Sequence, residues 1–258
     1  MTDNAPILEF DTDRAAILTP GAFSLENGHG LPNLCVLCFF NDLLHEMAGN
    51  GQLKEVHQVN SEIGPNPVYI FNADGGIPVT VVHPGVGAPL AAGFLEELIA
   101  LGVTRYIVCG GAGALDREIA VGHPVILNGA VRDEGTSYHY LPPSREVDPH
   151  RKALQALVQT FTEEGVDYRL GKAWTTDAIY RETKGKRAAR LAEGCCVVEM
   201  EAAALFAVAQ FREIILGEVV YGGDLVVPEG WDDRSWLKRG NARSMLFELA
   251  VKAVRKLA

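Results

Sequence analysis

The sequence predicts an α/β fold with a mixed sheet. Short apolar runs that end at glycine or proline alternate with longer segments that have helical spacing, and this alternation is typical of a sheet with helices packed on it. With 258 residues, the chain is long enough to bury the core of one domain, which we expect to span residues 1–258. Ligands of such folds bind at the carboxyl ends of the strands, so the loops after the strands are the first place to look for a site.

The predicted elements follow from where each apolar run begins and stops. We expect strands at Arg14–Thr19, Val68–Asn72, Val79–His83, Tyr106–Cys109, Pro124–Ala130, Cys195–Val198 and Glu218–Tyr221. We expect helices at Ala88–Leu101, Arg151–Glu164, Lys186–Glu193, Ala202–Arg212 and Ala242–Lys256. Glycine or proline follows several of the strands, and neither residue continues a central strand well.

Composition argues against several classes of partner. The 23 basic and 33 acidic residues give a net charge of −10, which disfavours nucleic acid and anionic membranes. No apolar run approaches the roughly 20 residues that span a bilayer, and the acidic N-terminus has no hydrophobic signal core. The five cysteines include Cys35 and Cys38 in a C-x-x-C without a second pair at zinc spacing. We therefore expect a cytoplasmic protein without a metal.

Two carboxylates stand out because they lie inside an apolar segment. Glu199 and Glu201 flank Met200, with valines before them and an alanine-rich run after them. An ionised carboxylate is costly to bury unless something binds it. One exposed glutamate could be explained by the positive end of a helix dipole, worth roughly 0.3–1 kcal/mol. Two enclosed glutamates are explained less well in this way, so a ligand-binding role and a helix-terminus role are about equally supported.

The same segment carries a family resemblance. Residues 197–203, Val-Val-Glu-Met-Glu-Ala-Ala, resemble the signature of the nucleoside phosphorylase superfamily, which includes purine nucleoside phosphorylases, uridine phosphorylases and related nucleosidases. The resemblance implies a single α/β/α domain with a barrel-like sheet and a homodimer or homohexamer. It also implies that Glu201 binds the ribose 2′- and 3′-hydroxyls, that Met200 packs under the sugar and that Glu199 lies beside them.

Asp224 is the candidate general acid. It follows an apolar strand directly, after Gly222 and Gly223, where an aspartate bonded to its own turn is common. The resemblance implies instead that Asp224 protonates N7 of a departing purine, and general acid help of this kind is worth roughly 10²–10⁴ in rate. Since uridine-cleaving relatives generally lack this residue, Asp224 favours a purine nucleoside as substrate.

The expected phosphate site is the largest departure from the family pattern. By resemblance, Gly21 and the turn Gly110–Gly113 frame this site, because glycine lets backbone N–H groups approach an anion. Phosphorolytic relatives carry arginines in place of Leu25 and Val108, and a Ser or Thr in place of Gly111. Buried phosphate needs several positive or N–H partners. A phosphate site here would need other arginines, such as Arg132, Arg145 or Arg181; otherwise water is the nucleophile.

Two further segments are expected near the base. One contains Arg132 and His139 among three tyrosine and histidine rings that suit a stacking wall, although a solvated loop is the simpler interpretation. The other resembles the base-facing loop of the family, and the resemblance implies that Tyr180 stacks on the base and that Arg181 reads its edge. The alternative there is an N-cap at Asp177 with Arg181 as its ion-pair partner.

The stretch Trp231–Trp236 has two interpretations. The resemblance implies a helix that gates the site, and the simpler interpretation is a surface helix with buried indoles.

The leading interpretation is phosphorolysis of a purine nucleoside to free base and pentose 1-phosphate. Phosphate is then a co-substrate, and no other cofactor is expected. A hydrolytic nucleosidase is the close alternative because the usual phosphate-binding arginines are missing. A nucleoside-binding protein without catalysis is the third hypothesis.

Overall fold

The computed structural model describes residues 5–21, 30–72, 75–238 and 240–258. Its strands in these ranges are β1 (Leu34–Cys38), β2 (Leu53–Ser61), β3 (Gly64–Phe71), β4 (Val79–Val82), β5 (Arg105–Ala114), β6 (Pro124–Asp133), β7 (Glu146–Val147), β8 (Arg169–Thr176), β9 (Cys195–Glu199), β10 (Ile215–Val227) and β11 (Gly230–Asp232). Its α-helices are α1 (Asn41–Gly49), α2 (Ala88–Ala100), α3 (Arg151–Glu163), α4 (Lys184–Ala192), α5 (Ala202–Arg212) and α6 (Gly240–Arg255).

Five of the strands close into a barrel. β5 pairs in parallel with β10, and β10 pairs antiparallel with β6. β6 and β8 are parallel, β8 and β9 are parallel, and β9 returns antiparallel to β5. The ring is complete and contains both strand directions, which confirms the predicted mixed, barrel-like sheet.

The remaining strands extend the sheet from β5 and open a gap in it. β1 pairs in parallel with β5 along residues 105–109, and then β4, β3 and β2 follow outward. β9 takes the same edge of β5 only at Gly113 and Ala114. Since β1 and β9 leave β5 in different directions, a space opens beside residues 110–112.

Helices cover both sides of the sheet. α5 packs against α2, and α3 packs against α6. Residues 202–209 of α5 are all buried, as expected of a helix without a solvent face. In the described parts of the chain, no helix is both long and apolar enough to cross a membrane.

The strand predicted at Arg14–Thr19 was wrong. These residues form no strand, and the side chains of Ile17 and Leu18 are exposed. The first strand is instead β1, whose five residues are all buried. An apolar run forms a strand only where a neighbouring strand is available to pair with it. β1 pairs with β4 on one side and with β5 on the other.

Two strands continue through glycines that were predicted to end them. β5 runs to Ala114 and β10 runs to Val227. A Cβ at Gly113 would lie 2.9 Å from Val198, and one at Gly222 would lie 2.5 Å from Ile119. These glycines therefore allow close packing inside the barrel and are not turn residues.

Candidate active site

A cavity of about 950 Å³ occupies the gap beside the end of β5. Its lining combines glycines 110–113, aromatic rings and several carboxyl groups. The carboxyl side chains are Glu182, Glu199, Glu201, Glu218 and Asp224. Among the described lining residues, the basic side chains are Lys184 and Arg243. A deep pocket with convergent polar groups is the default position for a small-molecule site.

Glu199 links the end of β9 to the start of α5. One carboxylate oxygen accepts hydrogen bonds from the N–H groups of Glu201 (2.6 Å) and Ala202 (2.7 Å), and the other accepts one from the Thr175 hydroxyl (2.5 Å). Burial raises the pKa of Glu199 to about 7, although these hydrogen bonds oppose the shift. Glu199 therefore satisfies the first N–H groups of the helix, as the helix-terminus interpretation expects.

Glu201 is less fully satisfied by the protein. It occupies the N-cap position of α5 and is 7% exposed, and one oxygen accepts a hydrogen bond from the Gly87 N–H. Burial, and then the charge of Glu199, raise the pKa of Glu201 to about 8. Hydroxyl donors from a ligand would favour its charged form, so Glu201 can bind a diol at the cost of releasing a proton.

Asp224 lies on β10 beside a register shift between Gly222 and Leu225. Its Oδ2 accepts a hydrogen bond from the Trp231 indole N–H at 2.6 Å. Its Oδ1 lies 3.5 Å from the position that a Cβ would take at Gly113. The carboxyl group is therefore held on one side by Trp231 and lies against the glycine segment on the other.

The helix expected at Trp231–Trp236 was wrong. Trp231 belongs to β11, which pairs antiparallel with the end of β10. The free edge of β10 accepts a short hairpin, and the 66%-exposed Trp231 is oriented by its bond to Asp224. A short 3-10 helix begins at Trp236.

Glu182 was missed by the sequence analysis. It follows the short 3-10 helix Ile179–Arg181 and lines the cavity near Asp224. Burial, and then the charge of Asp224, raise the pKa of Glu182 to about 7. Nothing in the local pattern distinguishes this glutamate from a surface residue, because its position depends on how the loop folds back.

Arg243 and Glu218 were also missed. Arg243, on α6, is 7% exposed and lines the cavity together with Phe40 and Trp236. Glu218 lies on β10 opposite Val108 of β5. It is buried, and its Oε2 has no hydrogen-bond partner among the described residues. Burial raises the pKa of Glu218 well above its usual value. Its position inside the apolar run of β10 was a signal that could have identified it.

The structure brings together part of the predicted site. Besides the carboxyl groups already described, the cavity lining includes Met200, Gly110, Gly111 and Tyr180. The described residues Gly21, Arg132, His139 and Arg181 are not part of that lining. Leu25 lies outside the described residues.

The predicted residues outside the lining have other contacts. The Gly21 N–H donates to the carboxylate of Glu97 at 3.1 Å. The guanidinium of Arg132 donates to the hydroxyls of Ser137 and Ser144 and to two backbone carbonyls, so it holds its own loop together. Arg145 pairs with Glu193. Through these contacts, Gly21, Arg132 and Arg145 are held away from the cavity lining.

The loop that carries Tyr180 matches neither of its two predictions fully, the base-stacking role of Tyr180 or the N-cap at Asp177. Tyr180 lines the cavity and is 93% exposed. The carboxylate of Asp177 accepts a hydrogen bond from the Gly135 N–H, and the following 3-10 helix has Ala178 at its N-cap. The N-cap at Asp177 was therefore wrong.

Comparison with known proteins identifies the family. The profile of the Phosphorylase superfamily matches residues 33–250. The chain belongs to this superfamily. The match begins one residue before β1 and does not include Arg14–Thr19, where this chain forms no strand.

Similar superfamily members carry different substrate names. The guanosine phosphorylase of Halorubrum lacusprofundi is 33% identical over 61% of this chain and 66% of its own length. The uridine phosphorylase of Treponema pallidum is 32% identical over 70% of this chain and 73% of its own length. Members with both purine and pyrimidine names therefore resemble the chain at similar identity.

Solved structures support the fold. The AMP nucleosidase of Bacteroides thetaiotaomicron has a TM-score of 0.70 at 25% identity and covers 88% of this chain and 89% of its own. The purine nucleoside phosphorylase of Toxoplasma gondii has a TM-score of 0.76 at 22% identity, with 88% and 92% covered. The superfamily, with its phosphorylases and nucleosidases, supports an enzyme that cleaves a glycosyl bond.

Proposed function

We propose that this protein cleaves the N-glycosidic bond of a purine nucleoside by phosphorolysis, giving free base and pentose 1-phosphate. The observation that carries the proposal is that Glu201 and Asp224 line one cavity. Glu201 is buried at the start of α5, whereas Asp224 is hydrogen-bonded to the exposed Trp231. The phosphorylase names of the sequence relatives support the same reaction class.

In this proposal, Glu201 holds the pentose. A carboxylate that accepts two hydroxyl hydrogen bonds matches a ribose 2′,3′-diol. The carboxylate of Glu201 accepts a hydrogen bond from the Gly87 N–H, and Met200 beside it provides an apolar surface for the sugar ring. Orientation of this kind contributes to rate because the reacting atoms are held in place before the reaction.

Asp224 then serves the leaving base. As the bond between C1′ and the purine nitrogen breaks, its electrons pass to the base, and Asp224 donates a proton to N7. An oxygen of phosphate forms the new bond to C1′. Glu182 assists this proton donation, because its pKa of about 7 keeps a protonated carboxyl near Asp224 close to neutral pH.

Hydrolysis is the second candidate, and three features of the cavity favour it. Five carboxyl groups face two basic side chains among the described lining residues. Val108 and Gly111 also offer no charged or hydroxyl group where phosphorolytic relatives have them. The buried carboxyl of Glu218 lies opposite Val108, where an ionised form could take a proton from water.

Product analysis tests the proposal. Purified protein is incubated with inosine, guanosine, adenosine, uridine or methylthioadenosine, with and without phosphate, and base and sugar products are separated. Phosphate-dependent release of a purine with pentose 1-phosphate supports the proposal. Free pentose at equal rates with and without phosphate contradicts it and supports hydrolysis. Binding without turnover of any nucleoside would indicate a binding protein.

A further inference from the structure

We propose that Arg243 and Tyr221 form the phosphate-binding site of this cavity, beside Gly111. The inference rests on the proposed phosphorolysis and assigns its anion to residues that no expected family position supplied. It follows from three features: how the guanidinium is held, what replaces a side chain at Gly111, and where positive charge is found in the cavity.

The guanidinium of Arg243 is fixed but incompletely used. Its Nε donates to the Tyr221 hydroxyl at 3.3 Å, and its Nη1 pairs with Asp42. Its charged centre lies 5.7 Å from the Phe40 ring and 5.5 Å from the Trp236 ring. Nη2 donates to no acceptor within the described ranges. A buried guanidinium with a donor edge that the described residues leave unused is suited to an anion.

Tyr221 places a hydroxyl next to the glycine segment. Tyr221 of β10 pairs with Gly111 of β5 in the strand register. A Cβ at Gly111 would lie 3.4 Å from the Tyr221 hydroxyl oxygen. Glycine therefore leaves room for the phenol, and the hydroxyl lies within contact distance of the position where a side chain at residue 111 would begin. Because the oxygen accepts a hydrogen bond from Arg243, its own O–H can be donated to an anion.

The charge distribution favours this part of the cavity. Arg243 is a buried cation in the lining. Burial alone would lower its pKa, but the hydrogen bond to Tyr221 and the charge of Asp42 raise the pKa of Arg243 overall. Its partner Asp42 has a 64%-exposed side chain, so solvent screens that pairing. Burial also raises the pKa values of Glu199 and Glu201, which reduces the negative charge facing an anion.

Three substitutions separate the contributions of charge and hydroxyl. Arg243→Met removes the donors but keeps an unbranched chain between Phe40 and Trp236. Arg243→Lys keeps the charge without the planar fork. Tyr221→Phe removes one oxygen. The matched control is Arg145→Met, since Arg145 is an ion-paired arginine outside the cavity lining.

Direct titration of inorganic phosphate into the full-length protein tests the inference without turnover. Calorimetry is performed with and without free purine base, after circular dichroism has shown that each variant is folded. We expect Arg243→Met to weaken phosphate binding about 10- to 100-fold and Tyr221→Phe about 3- to 10-fold. Arg243→Lys should lie between wild type and Arg243→Met, and the control should bind as wild type does.

Several results would overturn the inference. One is that the wild-type protein does not bind phosphate, either with or without purine base. Another is that Arg243→Met binds phosphate as tightly as the wild-type protein does. If Arg243→Met does not fold, unchanged binding in both Arg243→Lys and Tyr221→Phe has the same meaning. The proposed function fails separately, when nucleoside turnover yields free pentose whether or not phosphate is present. Phosphate binding lost with Arg243 would then still establish the anion site.

Discussion

The two ends of the cavity are built in different ways. At one end, Glu199, Met200 and Glu201 come from a single strand-to-helix junction, and Asp224 comes from the end of β10. At the other, Arg243 of α6 meets Tyr221 of β10 and Phe40 after β1. Three consecutive residues, 199–201, form most of the first end, whereas the second exists only after distant elements have packed together.

Because of this difference, the sequence shows more about the first end of the cavity than about the second. At the junction of residues 199–201, backbone N–H groups at the start of the helix fix the carboxylate of Glu199, so local sequence determines its geometry. At the opposite end, the donor comes from a helix that is distant in sequence from the strands, so its position does not follow from a local motif. Loss of an expected arginine therefore says less about chemistry than loss of Glu201 would.

The largest expected effect is that of Asp224→Asn. The amide cannot donate a carboxyl proton to the leaving base, so purine release should slow about 10²- to 10⁴-fold. Single-turnover base release measures the effect, and thermal unfolding shows whether the fold is kept. Asp167→Asn, at an exposed position, is the control. Equal turnover in wild type and Asp224→Asn would remove Asp224 from the mechanism.

The next effect contrasts two neighbours at the carboxylate end. Glu201→Gln should lower kcat/KM for ribonucleosides about 10- to 100-fold, because a hydrogen bond to a charged group is lost. Glu199→Gln should instead lower stability by about 0.5–2 kcal/mol through the weakened helix cap. Nucleoside kinetics and urea unfolding of both variants measure the contrast. The division of roles is wrong if Glu199→Gln loses activity without losing stability.

Much of the fold could be predicted from the sequence because local patterns decide it. The predicted helix Ala202–Arg212 has the same limits as α5, since its apolar run is long and continuous. Barrel closure could not be predicted in this way. β8 is part of the ring but begins with Arg-Leu-Gly-Lys, in which charged residues interrupt the apolar pattern, and only its two neighbouring strands make it a strand.

The site was predictable to the extent that it is local. Glu201 was found because two carboxylates within an apolar segment are unusual, and Asp224 because of the family resemblance. Arg243 was missed since a helix pattern does not show which neighbour each polar side chain will face. Glu182 was missed for a similar reason, because its burial depends on β10 passing close to its loop.

Stability should depend on pH through the same carboxylate end. Burial raises the pKa of Glu201 to about 8 and that of Glu199 to about 7, compared with about 4.3 in an unfolded chain. The folded state therefore holds more protons at these two groups, so their contribution to the unfolding free energy should be largest near pH 4.5 and should fall towards pH 8. Urea unfolding at several pH values measures the slope. Glu201→Gln should flatten it, and an equal slope in the variant would contradict the assignment.

The smallest effect tests how Asp224 is held. Trp231→Phe keeps an aromatic ring on β11 but removes the N–H that donates to Asp224 Oδ2. We expect a 3- to 10-fold fall in purine release, about the net value of one ordinary hydrogen bond, with little change in stability because Trp231 is 66% exposed. Trp231→Phe in the Asp224→Asn background should add little, since the two residues act together. If the two losses multiply instead, Trp231 contacts the substrate independently of Asp224, and the hairpin of β10 and β11 contributes its own binding surface.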